Sequence, residues 1–131
     1  MIGSFSGNAI VNNSPITSLT ISNQNSCQLV GSWNSGTCTI NNMIIASGST
    51  LSISSGITIV YSGTISDFGT MINSGTISNS GSINISNTSG TGINNSATGT
   101  INNNSGGIIN VINSGGIGIN NAVTGIFNNL S

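Results

Sequence analysis

Apolar residues recur along the later two-thirds of the chain at intervals that no helix repeats. Ile53, Ile59, Ile65, Met71, Ile77 and Ile83 are spaced by six residues without interruption. Gly63, Gly69, Gly75 and Gly81 keep the same step, each two places before the next apolar residue. The step then lengthens to eight through Ile85, Ile93, Ile101, Ile109 and Ile117, with Gly90 and Gly99 among the glycines that accompany it. Neither interval matches the 3.6-residue turn of an α-helix. Short units at a fixed step are the mark of a solenoid, in which each short strand supplies a core residue and each glycine serves a corner. The predicted core stack is therefore Ile53, Ile59, Ile65, Met71, Ile77, Ile83, Ile93, Ile101, Ile109 and Ile117. The predicted corner glycines are Gly63, Gly69, Gly75, Gly81, Gly90 and Gly99.

Turn chemistry argues the same way. Asn-Gly is the strongest signal for a two-residue hairpin. Chance pairing of these residues would give about three such dipeptides, and there are none, whereas Ser-Gly occurs ten times. Ser-Gly is read here as marking bends rather than tight reversals. Two or three units per coil give about 16–18 residues a coil and about five coils over residues 47–131. At the ~4.8 Å spacing of neighbouring strands this is a rod of roughly 25 Å. Exposed Asn, Ser and Thr would form ladders of like side chains along it.

Residues 1–46 have a different texture and are read as an N-terminal β cap or assembly region ahead of the 47–131 repeat region. Short strands are predicted at Ala9–Val11, Ile16–Ser22, Cys27–Val30 and Thr37–Ile45, with Trp33-Asn34-Ser35-Gly36 as a turn between the last two. That turn brings Cys27 and Cys38 together, and a disulfide there would stabilise the fold by about 3 kcal/mol. It would also point to an oxidising compartment. Two Cys without any His leave a tetrahedral metal half-ligated, so no metal site is expected.

Composition sharpens the fold class. β-branched Ile, Val and Thr total 42 of 131 residues, against 13 strong helix formers. This favours strands throughout. The expected fold is all-β: a parallel β-solenoid with an N-terminal β cap region. No apolar run approaches the roughly eighteen residues of a membrane helix, and no basic, then apolar, leader is visible at the start.

Charge then narrows the function. The chain has no Lys, Arg, His or Glu, and Asp67 is its single ionised side chain. General acid–base chemistry lacks its usual groups, and a nucleophilic Ser or Thr lacks a base to activate it. Nucleic-acid binding lacks the cations that neutralise phosphate. No catalytic residue, cofactor or metal is expected, and Asp67 is read as an exposed turn residue. One Asp cannot build the calcium sites of a β-roll. Six Asn-x-Ser/Thr patterns, at Asn12, Asn84, Asn87, Asn94, Asn103 and Asn129, match the roughly seven that chance supplies and carry no signal. Thr64, Thr70, Thr76 and Ser82 share the six-residue step, which puts successive residues on different faces of a three-sided coil. No flat ice-binding array follows from them, and that reading is kept as a minor alternative.

The far end is more informative. A solenoid needs a polar cap over its last coil. Here Ile117, Ile119, Ile126, Phe127 and Leu130 carry the apolar pattern to the final residues. Ile119, Ile126, Phe127 and Leu130 are the predicted assembly face, covered by another subunit. Different top and bottom surfaces imply a head-to-tail homo-oligomer, and a joint that does not close makes a filament.

Segments such as Gly75-Thr76-Ile77-Ser78-Asn79-Ser80-Gly81 and Gly99-Thr100-Ile101-Asn102-Asn103-Asn104-Ser105-Gly106 resemble the Asn/Ser/Gly/Ile-rich β-solenoid repeats of microbial or viral surface fibres and adhesin passengers. The resemblance covers about two-thirds of the chain. It implies a structural protein outside the cell or on a cell or virion surface. The leading expectation is a subunit of an extracellular filament. The alternative is an adhesin or fibre segment that binds a glycan or surface, although Trp33, Tyr61, Phe68 and Phe127 are too scattered to form a sugar platform.

Overall fold

The repeating unit is a four-residue strand whose second and fourth side chains turn inward. In β8 (Thr76–Asn79), for example, Ile77 and Asn79 are buried. In the computed structural model, which describes residues 16–86, 89–112 and 115–130, such strands wind into a parallel β-solenoid of about four coils. One coil is β6 (Thr64–Asp67), β7 (Thr70–Asn73) and β8. The next is β9 (Ser82–Ile85), β10 (Thr91–Asn95) and β11 (Thr100–Asn103). The terminal coil is β12 (Ile108–Val111), β13 (Ile117–Asn121) and β14 (Ile126–Asn129). Beneath them, β4 (Met43–Ile53) bends across two faces, its start pairing with β6 and its end with β7, and β5 (Thr58–Tyr61) completes that coil. A partial first coil comes from β1 (Ile16–Ile21), paired with β4, and β3 (Thr37–Ile40), paired with β5.

The solenoid thus has three faces, and three six-residue units make one 18-residue coil, as between Ile59 and Ile77 or Ile65 and Ile83. Coils are not uniform. Two residues join β6 to β7, but five join β9 to β10, so the last coils lengthen to 24 and 26 residues. This corrects the expected count of about five coils: longer corners use up the chain. Strand β4 also runs unbroken through the boundary placed after residue 46.

Three local expectations change in the N-terminal part. Cys27–Val30 is not a strand. Gln24–Gln28 is a short helix, α1, because Asn23 and Ser26 cap it reciprocally. The Asn23 Oδ1 accepts the Ser26 N–H at 3.0 Å, and the Ser26 Oγ accepts the Asn23 N–H at 3.1 Å. This capping box outweighs the apolar run that suggested a strand. Thr37–Ile45 is split at Asn41-Asn42, where the chain turns a corner between β3 and β4. The expected strand Ala9–Val11 lies outside the described residues.

One Ser-Gly does make a tight reversal. β2 (Ser32–Asn34) pairs antiparallel with β3 across Ser35-Gly36, whose φ values are +48° and +86°. Two successive positive φ values are what a type I′ hairpin turn demands. The corner glycines serve a different need. A Cβ at Gly75 would run into the Ile57 carbonyl oxygen, and one at Gly81 into that of Gly63. They are glycine because the backbone of the coil below passes too close for any side chain.

Candidate assembly face

Register fixes six columns of inward side chains, two on each face. Three are apolar: Met43–Ile65–Ile83–Ile109, Leu19–Leu51–Met71–Ile93–Ile119 and Cys38–Ile59–Ile77–Ile101–Phe127. The predicted core residues Ile53, Ile59, Ile65, Met71, Ile77, Ile83, Ile93 and Ile101 are all buried, and Ile109 packs against them at the terminal coil. Ile117 is the exception. It pairs with Thr91, an outward position, and is 54% exposed, because Gly118 lets Ile119 take the inward site. Gly63, Gly69, Gly75, Gly81 and Gly99 sit at corners against carbonyl oxygens of the coil below, and the Gly90 carbonyl accepts the Ile117 N–H.

The other columns end each strand and turn polar part-way up. On two faces they read Ile21–Ile53–Asn73–Asn95–Asn121 and Ile40–Tyr61–Asn79–Asn103–Asn129. Their amides form ladders through the interior. Asn73 Nδ2 donates to Asn95 Oδ1 at 2.8 Å, and Asn95 Nδ2 donates to Asn121 Oδ1 at 2.7 Å. Asn79, Asn103 and Asn129 repeat this at 2.8 Å per rung. Each rung also binds corner carbonyls, as Asn95 Nδ2 does with those of Gly99 and Ile126. Buried amides are tolerable because their Nδ2 groups are paired; the Asn73 Oδ1, at the foot of its ladder, is buried without a partner. Exposed ladders exist too, such as Asn84–Asn110 and Asn102–Asn128, but the inner ones escaped the sequence reading. Strand alternation carried the signal: each inner Asn stands two residues after a core residue.

The third strand-ending column is Ile45–Asp67–Ile85–Val111. Asp67 is therefore buried, not the exposed turn residue expected, because it stands two places after the inward Ile65. Burial pushes its carboxyl up to about 7, while the Gly69 N–H that binds Oδ1 at 3.0 Å works the other way. Tyr61, also buried, donates its hydroxyl to the Met71 sulfur at 3.4 Å, and burial raises its ionisation far above the ordinary range.

Cys27 and Cys38 are joined by a disulfide with Cα atoms 5.7 Å apart. It pins α1 to β3, and α1 packs against β1, β2 and β3. The core of the first coil is closed: Leu19, Ile21, Cys38 and Ile40 are all buried.

The terminal coil differs. Strands β12, β13 and β14 are each the last strand of their face, with one edge unpaired among the described residues. Its inward Val111 and Phe127 are 47% and 40% exposed. Part of its outward side is apolar as well. The first outward position of each strand is Ser or Thr in the coil beneath: Ser82, Thr91 and Thr100. In the terminal coil these become Ile108, Ile117 and Ile126. Ile112, Val123 and Leu130 add exposed aliphatic groups at its corners. Eight of the ten exposed large hydrophobic residues among those described belong to residues 108–130. Of the predicted face, Ile126, Phe127 and Leu130 are exposed and Ile119 is partly buried; sequence reasoning missed Ile108, Val111, Ile112 and Val123.

No pocket and no cluster of three or more metal-ligating side chains occurs among the described residues. No family model, curated protein or solved structure matches the chain.

Proposed function

We propose that the protein is a structural subunit of an extracellular filament or surface fibre, joined to the next copy through its terminal coil. The observation that carries this reading is the coincidence, on one coil, of three strand edges unpaired among the described residues with a belt of exposed aliphatic side chains. A partner that satisfies edges on all three faces must itself present strands with the same triangular outline. Among the described residues, this chain's other end offers strand edges on β1 and β2 for such a contact. Head-to-tail stacking would place β12 and β13 on β1, and β14 on β2, and would propagate.

Two further features support the reading. With one acidic side chain, itself buried, and no Lys, Arg or His, the subunit has almost no charge repulsion to hold open edges apart. The Cys27–Cys38 disulfide suits an oxidising exterior. Electron microscopy of the purified chain tests the proposal. Uniform fibres with the strand spacing along their axis are expected; dispersed single rods at high concentration would refute it.

A second reading has one observation in its favour. On the third face Thr37, Thr58, Thr76 and Thr100 stack in register at the first outward position. They come from different coils, so the six-residue step did not reveal them. Such a column is the beginning of an ice-binding surface, but the neighbouring column, Thr39–Val60–Ser78–Asn102, is mixed. Thermal hysteresis in solution would support this reading, and its absence would remove it.

A further inference from the structure

In the coil of β6, β7 and β8 the three strand-ending inward residues are Asp67, Asn73 and Asn79. The two asparagines are neutral, each with an amide that donates to the coil above. Asp67 fills the equivalent place between Ile45 below and Ile85 above, neither of which offers a polar side-chain atom. Its Oδ1 accepts the Gly69 N–H, and its Oδ2 is buried with no hydrogen-bond partner. A carboxylate in that place would leave a desolvated, unpaired charge, which is among the costliest arrangements a core can hold. A protonated carboxyl is the neutral counterpart of the amides at Asn73 and Asn79.

No side chain can pair a cation with the charged form, because the chain has no Lys, Arg or His. Around Asp67, β4 and β9 contribute Ile45 and Ile85, and β5 contributes Tyr61, whose hydroxyl is turned to the Met71 sulfur. Tyr61 is the only titratable side chain that acts on it, and the cysteines are bonded to one another. We propose that Asp67 is carried inside the folded solenoid as a neutral acid and acts as a pH-sensitive latch, so that the rod is tightest in acid and loosens as the solution approaches neutrality.

The direction follows from linkage. Below the ordinary carboxylate value of 3.8 both folded and unfolded chains hold the proton. Between there and about 7 only the folded chain holds it, so each rise in pH favours unfolding. The folding equilibrium is expected to fall about tenfold per pH unit across that window, roughly a thousandfold in all, and to level off above it.

Cell-free synthesis with 13Cγ-aspartate labels a single carboxyl, and its NMR resonance reports the protonation directly. A midpoint near 7 in the folded protein is expected; a midpoint near 4 would overturn the proposal. Denaturant unfolding at a series of pH values gives the second readout. The wild-type midpoint should decline from pH 4 to pH 8, while Asp67→Asn, permanently neutral and of the same shape, should stay level apart from the small contribution of the chain ends. Equal pH dependence in both proteins would also overturn it. Should Asp67→Asn not fold, the resonance of the wild-type chain decides alone.

Discussion

The two ends of this solenoid are built from the same kinds of residue and finished in opposite ways. At the N-terminal end, α1 and the β2–β3 hairpin lie against the first coil, the disulfide ties them together, and the core beneath is sealed. At the other end the inward columns run out into Val111 and Phe127, and the polar outer positions of lower coils give way to Ile108, Ile117 and Ile126. Apolar residues at the outward sites of a coil suit a surface that another element covers. The terminal coil is therefore not a plain repeat of the coils beneath it. Its first outward sites are Ile where the two coils directly below it have Ser or Thr.

The sharpest way to break that comparison is to truncate a core residue at each end. Ile40→Ala, in the sealed coil, should cost about 2–5 kcal/mol in denaturant unfolding at any protein concentration. Phe127→Ala, at the open end, should cost only about 1 kcal/mol in dilute solution and more as concentration rises. Next in size is reduction of the Cys27–Cys38 bond, expected to cost about 3 kcal/mol and to unseal the first coil, so that α1 exchanges its amide protons sooner than β8. Smaller again is Asn95→Ala. It leaves Asn73 Nδ2 without its Asn95 acceptor and the Gly99 and Ile126 carbonyls without their Asn95 donor, for about 1–3 kcal/mol. Asn121→Ala, the last rung of the same ladder, should cost less than Asn95→Ala, since no described residue stacks above it.

The fold was readable because glycine and isoleucine are under strict spatial control. Ile59 and Ile77 must meet the same column, and Gly75 must clear the Ile57 carbonyl, so both leave a period in the chain. The helix α1 was not readable from periodicity, since five residues carry no period and only the Asn23/Ser26 box announces them. The inner asparagines and Asp67 were misread for another reason. Their side chains look like surface chemistry, and only the two-residue offset from Ile77, Ile93 or Ile65 says that they point inward. The candidate face was half legible. The apolar C-terminal residues stood out, but that Ile108, Ile117 and Ile126 occupy outward Ser/Thr sites depends on register across coils of unequal length.

The most direct test restores those sites. The triple variant Ile108→Thr, Ile117→Thr, Ile126→Thr gives the terminal coil the outer surface of the coils below and should change the unfolding free energy of the single subunit by no more than about 0.5 kcal/mol per site. Sedimentation velocity over a wide concentration range then compares it with wild type. The expected result is concentration-dependent growth of the wild-type species and a single monomer boundary for the variant. A wild-type chain that stays monomeric throughout, or a variant that assembles as readily, would contradict the assignment of the terminal coil as the joint.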